Sequence, residues 1–201
     1  MRVSRAQAEE NRQAVINVAS RLFREHGFNG IGLNDLMKAA GLTHGSFYKQ
    51  FKSKEDLIVQ ACSRALDESK GKWSSVVAKA TGNSLAALVR FYLSTRHRNQ
   101  TGGGCAFAAL GSDAARSSPA LCRTLEAGIE AHLDILDGLS SAAPDNATRD
   151  RSIAALSTMV GALILSRAVK DTALSQRILD ASANEIIARS VEDDAAGKRS
   201  Q

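Results

Sequence analysis

The chain has 201 residues, a net charge of +5 at pH 7 and a sequence pI near 9.3. This length suits one or two packed domains, and the scarcity of proline, with only Pro119 and Pro144, favours helices. Mild basicity permits nucleic-acid binding without requiring it. Three cysteines form an odd set without a disulfide framework, and we expect no signal peptide, which together indicate a reducing cytoplasm. The longest uncharged stretch, residues 152–166, is too short and too rich in Ser and Thr for a membrane span.

The first predicted helix begins near Ala6 and ends at Gly27, with apolar residues at helical spacing between them. A polar segment with Arg2 and Arg5 precedes it. Basic N-terminal arms reach DNA phosphates or the minor groove in other proteins. The sequence leaves open whether this arm contacts DNA or is disordered and uninvolved.

Two short helices and a tight turn follow in residues 32–54, GLNDLMKAAGLTHGSFYKQFKSK. Leu33, Leu36, Met37 and Ala40 form one apolar helical face, and Gly41 is suited to end that helix in a left-handed conformation. Thr43 is the N-cap candidate for a second helix with the aromatic residues Phe47, Tyr48 and Phe51. This arrangement predicts a helix-turn-helix, whose second helix enters the DNA major groove.

The charge distribution supports this prediction. No acidic residue lies between Asp35 and Glu55, whereas four lysines do: Lys38, Lys49, Lys52 and Lys54. An ordinary helical hairpin with a solvated basic face is the alternative. Turn, caps, aromatic residues and lysines together favour DNA binding.

The segment LNDLMKAAGLTHGSFYKQFKSKEDL resembles the DNA-binding signature of the TetR family of bacterial transcriptional repressors, and the match is dense over residues 14–57. Beyond it only length and helical character match. The resemblance implies a homodimer that binds a pseudopalindromic double-stranded operator and is released by a small-molecule effector. One departure is that Ile31 and Gly32 stand where the family usually has a capping Thr or Ser, so a hydroxyl contact to phosphate is missing.

Chemistry and the family pattern together assign roles to the recognition helix. Thr43 offers a hydroxyl and a backbone N–H to phosphate, and Gly45 permits close approach of the backbone. His44 and Ser46 are placed to read base edges. Tyr48, Lys49, Lys52 and Lys54 are expected on phosphates, while Phe47 and Phe51 anchor the helix in the core. The full set of predicted DNA-binding residues is Arg5, Thr43, His44, Gly45, Ser46, Tyr48, Lys49, Lys52 and Lys54.

The central part of the chain contains the candidates for a ligand pocket. Ser53 caps the next helix, which the resemblance implies links the DNA-binding unit to a regulatory domain. Another helix is predicted from Ser84 to about Arg98, and Pro119 opens one that reaches about Gly138, in which His132 is interpreted as a hydrogen-bonded core histidine. The pocket candidates, each with a core role as its alternative, are Trp73, Phe91, Tyr92, Cys105, Phe107, Leu110, Leu125 and Ile129.

Cys105 follows three glycines and is predicted in the first turn of a helix, with Arg96, His97 and Arg98 shortly before it. A helix N-terminus and nearby cations lower the pKa of a thiol and make it reactive. The Gly-Cys start is similar to a TetR subgroup that includes the N-ethylmaleimide repressor. An electrophile or oxidant sensor switched at Cys105 is therefore an alternative, and a small buried helix residue is the other.

Two amphipathic helices are predicted after a loop at residues 140–144, the second from about Ala173 to Val191. The resemblance implies dimerisation there through a four-helix bundle, whereas the sequence alone equally allows packing within one chain. The candidate interface residues are Leu156, Val160, Leu163, Ile164, Ile178 and Ile186.

Enzyme signatures are absent from the sequence: it has no Walker loop, no H-E-x-x-H, no zinc-spaced cysteine pairs and no nucleophile elbow. We therefore expect neither catalysis nor a cofactor nor a metal site. The sequence predicts an all-α protein with a DNA-binding domain at residues 1–52, a ligand-binding and dimerisation domain at 53–191, and a disordered tail at 192–201. A DNA-binding regulator without any small ligand is the remaining alternative.

Overall fold

A computed structural model describes residues 4–140 and 145–197, with side chains in the last helix as far as Val191. Arg2, most of the predicted loop at 140–144 and the tail residues 198–201 lie outside the described residues. The described part contains α-helices, one 3₁₀ helix at His44–Lys49 and no strand, which confirms the all-α prediction. The α-helices are α1 (Arg5–His26), α2 (Leu33–Ala39), α3 (Lys54–Lys79), α4 (Ser84–Tyr92), α5 (Thr95–Asn99), α6 (Ala106–Ala114), α7 (Pro119–Asp137), α8 (Asn146–Ala168) and α9 (Thr172–Gly197).

Helix α1 begins and ends at residues whose chemistry explains its bounds. The Ser4 hydroxyl accepts a hydrogen bond from the Gln7 N–H at 3.1 Å, which satisfies one of the unpaired donors of the first turn. Gly27 closes the helix at φ 73°, and its N–H donates to the Phe23 carbonyl. Arg5 is therefore the first residue of a capped helix.

Helix α2 ends in a Schellman motif. The Leu42 N–H donates to the Met37 carbonyl at 2.9 Å and the Gly41 N–H donates to the Lys38 carbonyl at 3.0 Å. Gly41 has φ 71°, a conformation that glycine adopts without steric cost. The predicted helix stop is confirmed, and this motif sets the direction in which the chain leaves for the 3₁₀ helix.

Helix α3 begins at a capping arrangement around Ser53. Its hydroxyl accepts from the Asp56 N–H at 3.0 Å, as predicted, while the Asp56 carboxylate accepts from the Lys52 N–H at 3.0 Å, one residue before the cap. The Asp56 carboxylate also accepts from the Gln60 amide. Lys52 and Ser53 are thereby fixed between the 3₁₀ helix and α3.

Three predicted helix boundaries need correction. The helix predicted from Ser84 to Arg98 is two helices, because the Ser94 hydroxyl accepts from the His97 N–H and starts a new helix after α4 ends. Cys105 lies at the N-cap of α6, one residue before the first turn. Helix α9 continues past the predicted end at Val191 to Gly197, so residues 192–197 are helical.

The chain divides into two compact units. The first comprises the chain up to Glu68 together with Thr101–Gly128, and the second comprises Ser69–Gln100 and the chain from Ile129 onward. This division by compactness differs from the predicted functional boundary at residue 52, because it groups the start of α3, all of α6 and half of α7 with the helix-turn-helix. One continuous apolar core joins α1 residues such as Val15 to α7 residues such as Leu125 in the first unit.

The second unit is built around a buried aromatic cluster. Trp73 contacts His132 and Tyr92 with ring centroids 4.7 and 5.7 Å apart, both edge-on, and each of the three is at most 2% exposed. A 3.0 Å hydrogen bond joins His132 Nε2 to Ser69 Oγ, which confirms that His132 is a hydrogen-bonded core histidine. No helix in the described ranges is long and apolar enough to cross a membrane.

Candidate DNA-binding surface

The 3₁₀ helix at His44–Lys49 is the segment predicted to read DNA, and its aromatic residues divide between core and surface. Phe47 is fully buried and stacks on Phe51 with ring centroids 5.3 Å apart, which confirms both as core anchors. Tyr48 is 67% exposed and meets Phe47 edge-on at 5.1 Å. The buried ring therefore supports the exposed one. The sequence predicts a helix here, and the structure makes it a tighter 3₁₀ helix.

The exposed residues of positions 43–52, together with the half-buried Ser46, form what we call the candidate DNA-binding surface. Ser46 is half-buried, and its hydroxyl donates to the Thr43 carbonyl at 2.6 Å, which leaves its lone pairs as acceptors. The His44 ring meets Tyr48 edge-on with centroids 6.0 Å apart. The members of this surface are Thr43, His44, Gly45, Ser46, Tyr48, Lys49 and Lys52.

Thr43 occupies the predicted N-cap position but does not cap through its side chain. Its backbone is extended, its carbonyl accepts from the Ser46 N–H at 3.0 Å, and its hydroxyl makes no capping hydrogen bond. The predicted side-chain cap is therefore wrong, because the short 3₁₀ turn is closed by backbone and by Ser46 instead. Thr43 is exposed at this position.

Lys54 has a structural role that the sequence does not indicate. Its half-buried ammonium group donates to the Ile31 carbonyl at 3.0 Å, which joins the first residue of α3 to the residue before α2's cap. We therefore remove Lys54 from the DNA-binding surface. Arg5 is exposed at the start of α1, and Lys38 is exposed in the last turn of α2.

The N-terminus of α2 is open, as the departure at Gly32 predicts. Gly32 has the extended backbone of an N-cap, and its carbonyl accepts from the Leu36 N–H at 3.1 Å, but it has no side chain with which to cap. The exposed amides of this first turn carry the positive end of the helix dipole. Asp35 lies in the same turn and complements that dipole.

The structure divides the predicted ligand-pocket residues between the two units. Cys105, Leu110 and Leu125 are buried in the first unit, where Phe107 packs on its core. In the second unit, Trp73 and Tyr92 are buried and in contact, whereas Phe91 and Ile129 are 38% and 40% exposed. Trp73 and Tyr92 are thus the two pocket candidates that the structure brings together in one ring contact.

The cysteines differ in access to solvent. Cys105 is 3% exposed and Cys62 is 1% exposed, whereas Cys122 is exposed. Burial raises the pKa of the Cys62 thiol to about 12, although the nearby Arg24 charge acts in the opposite direction. The exposed cysteine is therefore Cys122, whereas the sequence analysis selected Cys105.

Helices α8 and α9 bury some of the predicted interface residues within the single chain. Leu156, Leu163 and Ile186 are at most 8% exposed and belong to its own core, so we no longer assign them to an interface. Val160 and Ile178 are half-buried. The large apolar side chains that these helices expose, which we call the α8–α9 apolar face, are Ile153, Ile164, Leu165, Leu174 and Val191. Of these, only Ile164 is in the predicted set, because apolar residues surround α8 and their spacing does not separate its two sides.

Comparison with known proteins gives sequence matches to part of the chain and structural matches to nearly all of it. The family described as "Bacterial regulatory proteins, tetR family" matches residues 15–61. The regulator AcrR of Shigella flexneri is 43% identical over 57 residues, which are 28% of this chain and 26% of AcrR. An HTH-type regulator of Staphylococcus aureus is 40% identical over 63 residues, 31% of this chain and 34% of that protein. The matched segments span about a quarter to a third of these relatives, and the family match at residues 15–61 includes the helix-turn-helix.

Solved structures share the fold over nearly the whole chain. A TetR-family regulator from Cytophaga hutchinsonii has a TM-score of 0.76 at 21% identity, with 94% of this chain and 98% of that one covered. The reduced form of NemR from Escherichia coli has a TM-score of 0.73 at 20% identity, with 88% and 95% covered. The family signature lies on the helix-turn-helix and the fold extends to the remaining helices. Residues 15–61 thus match the tetR family of bacterial regulatory proteins, and the fold of the chain is similar to that of a solved TetR-family structure.

Proposed function

We propose that this protein is a DNA-binding transcriptional regulator that binds a pseudopalindromic operator as a homodimer and is released by a small-molecule effector, as a repressor. The candidate DNA-binding surface is the observation that carries the proposal. It presents hydroxyls, an imidazole, a phenol and two lysines on a short helix held by Phe47 and Phe51, with no acidic residue from 36 to 54.

Each group on this surface has a role that fits its chemistry. Lys49 and Lys52 neutralise phosphates, and the Thr43 and Tyr48 hydroxyls donate to phosphate oxygens. His44 and Ser46 reach base edges in the major groove. Gly45 has no heavy atom within 4 Å of the place where a Cβ would stand, so it offers open space for the DNA backbone.

The homodimer is supported by the α8–α9 apolar face. Five large apolar side chains on these two helices are 43–58% exposed, and exposed apolar surface is what a protein partner would cover. A two-fold dimer places two copies of the 3₁₀ helix on two half-sites, which is why we propose a pseudopalindromic operator.

Release by an effector follows from linkage. A ligand that binds more tightly to a dimer whose two 3₁₀ helices are wrongly spaced weakens DNA binding by that difference in affinity. The buried ring pair Trp73 and Tyr92 is our candidate for the effector-binding region. A regulator without a ligand is the competing proposal, and a small molecule that co-purifies or raises the thermal midpoint counts against it.

The thiol-switch alternative is weakened by the burial of Cys105. A thiolate reacts when it is accessible, and 3% exposure shields this sulfur. We expect N-ethylmaleimide to label Cys122 first. Two results together would restore the thiol switch. Cys105 would be labelled before Cys122, and labelling would abolish DNA binding in the wild type but not in Cys105→Ser.

The test is selection of duplexes from a random double-stranded pool by the full-length protein, followed by affinity measurement at several salt concentrations. In the double variant Lys49→Gln/Lys52→Gln we expect at least about a tenfold loss of affinity and a salt slope smaller by about one per lysine. The matched control is Lys79→Gln/Lys170→Gln, which removes two exposed lysines elsewhere. Failure of the wild-type protein to enrich any duplex overturns the proposal, as does equal loss in both double variants.

A further inference from the structure

Helix α6 is tied to the end of α1 at both of its own ends. At its start, Arg24 Nη1 of α1 donates to the Gly104 carbonyl at 3.1 Å. At its end, the Asp113 carboxylate of α6 accepts from the N–H of Phe28, just after α1, at 3.4 Å. Two residues before the first tie, a Cβ added to Gly102 would lie 2.8 Å from the Arg21 Cγ, so the glycine loop lies directly on α1. We call the Arg24 and Asp113 contacts the α1–α6 clamp.

The Arg24 end of the clamp is a buried charge with four hydrogen bonds, one of them to a carboxylate. Its side chain is 3% exposed, and it pairs with Glu68 of α3 at 3.2 Å. It also donates to the carbonyl and the hydroxyl of Ser20, at 3.0 and 3.2 Å. A buried guanidinium is costly without its counter-charge and hydrogen bonds, and its rigid fork satisfies them in one arrangement of α1, α3 and the loop. This end therefore fixes geometry more than it adds stability.

The clamp acts on the part of the chain that carries the candidate DNA-binding surface. Phe28 opens the connection from α1 to α2, and its ring meets Phe23 of α1 edge-on with centroids 5.6 Å apart. Phe23, Phe28, the α2 core residues and Phe47 belong to one buried cluster, which also includes Ala106, Leu110 and Ala114 of α6. Because this cluster is close-packed, a shift of α6 displaces its neighbours.

We propose that Arg24 and Asp113 are positioning residues for DNA binding. They touch no DNA themselves but hold α6 and the helix-turn-helix as one body, so the placement of α6 sets the placement of the 3₁₀ helix. This inference rests on the DNA-binding function proposed above. It predicts that loss of either tie weakens DNA binding in a protein that is still folded.

Each tie has a matched control, because each carboxylate involved also pairs with an exposed arginine. Because the Gly104 acceptor is a backbone carbonyl, the Arg24 tie is weakened through its counter-charge: Glu68→Gln removes the charge that holds the Arg24 guanidinium, and its control Arg64→Ala removes only the second partner of Glu68. Asp113→Ala removes the acceptor of the Phe28 N–H, and its control Arg116→Ala removes only the surface partner of Asp113. These variants avoid replacing the buried arginine itself.

Two measurements are made below the thermal midpoint of every variant. One is affinity for the duplex that the wild-type protein selects, and the other is amide hydrogen exchange across residues 33–49 without DNA. Since each tie includes a charged hydrogen-bonding group, we expect a loss of affinity of about tenfold in both clamp variants, together with faster exchange. The two controls should stay within about twofold of the wild type, because exposed ion pairs contribute little.

The outcomes separate the inference from the function on which it rests. Wild-type affinity and exchange in both clamp variants overturn the inference, as does an equal loss in clamp variants and controls. If the wild-type protein selects no duplex, the proposed function fails, and the exchange data alone then decide whether the clamp positions residues 33–49. Faster exchange confined to the clamp variants supports positioning, and unchanged exchange refutes it.

Discussion

The helix-turn-helix and the α8–α9 pair differ in the kind of side chain that they expose to solvent. The helix-turn-helix buries Phe47 and Phe51 and turns polar and cationic groups outward. Helices α8 and α9 bury one set of apolar residues, such as Leu163, and leave another, such as Leu165, on their surface. The first surface is suited to a charged, hydrated partner, and the second to an apolar one.

This difference shows how one chain presents two surfaces of unlike chemistry. A polar surface binds through a few groups that a rigid core holds in position, whereas an apolar face binds in proportion to the area that it buries. In each region, two residues at most two positions apart allow the core role and the surface role to be separated by experiment.

The largest expected effect separates Phe47 from Tyr48. Phe47→Ala should lower the free energy of unfolding by about 3–5 kcal/mol, because it removes a fully buried ring from a packed core. Tyr48→Ala should change it by less than about 1 kcal/mol while reducing DNA affinity, since its ring is mostly exposed. Urea unfolding and DNA titration of both variants provide the check, and similar unfolding curves would contradict this division.

Leu163 and Leu165 of α8 allow the same test for the α8–α9 apolar face. Leu163→Ala should cost about 2–5 kcal/mol of unfolding free energy at fixed protein concentration and leave the oligomer intact. Leu165→Asp should instead convert dimer to monomer, because it places a charge in an apolar interface. Light scattering after gel filtration measures this, and a Leu165→Asp protein that stays dimeric removes Leu165 from the proposed interface.

A smaller effect is expected at the turn of the helix-turn-helix. Gly41→Ala should cost about 1 kcal/mol, because alanine is strained at φ 71° although nothing lies within 4 Å of the added Cβ. The control is Gly45→Ala, which adds the same methyl group in open space without a positive φ. Thermal unfolding of both proteins should show a lower midpoint for Gly41→Ala only.

The smallest expected effect is a dependence of stability on pH at His97 in the second unit. Burial lowers the pKa of His97 below its ordinary 6.5, against the opposing effect of its hydrogen bond to the Tyr92 carbonyl, while the Arg167 and Lys72 charges lower it further. The unfolded chain therefore binds a proton more readily than the folded one, so stability present above pH 6.5 is lost as the pH falls. His97→Gln should reduce the difference between urea midpoints at pH 7.5 and 5.5. A His97→Gln protein that keeps the full difference contradicts this assignment.

Sequence predicted the helix-turn-helix well because its signals are local. The glycine at position 41, the cap at Ser53 and the buried face of Leu36 and Met37 all depend on residues within a few positions of one another. The tie from Lys54 to Ile31 was beyond sequence reasoning, since it depends on where two separate helices meet.

The later helices were predicted less well because tertiary packing decides their faces. Ser94 starts a new helix inside a pattern that continues the helical period, so the break between α4 and α5 carried only a weak signal. On α8, large apolar residues occur on both sides, and burial alone distinguishes Leu163 from Leu165. No local pattern indicates that Arg24 and Gly104, eighty positions apart, are hydrogen-bonded.

The continuous core of the first unit has a consequence for biosynthesis. The helix-turn-helix leaves the ribosome early, but Leu110, Leu121 and Leu125, which complete its core, are made much later. Because chains are synthesised at roughly 5–20 residues per second, the nascent helix-turn-helix waits for seconds with part of its apolar surface uncovered. A fragment that stops at residue 61, the end of the family match, therefore lacks part of its core. We expect the shortest fragment of the first unit that folds on its own to include α6 and the start of α7.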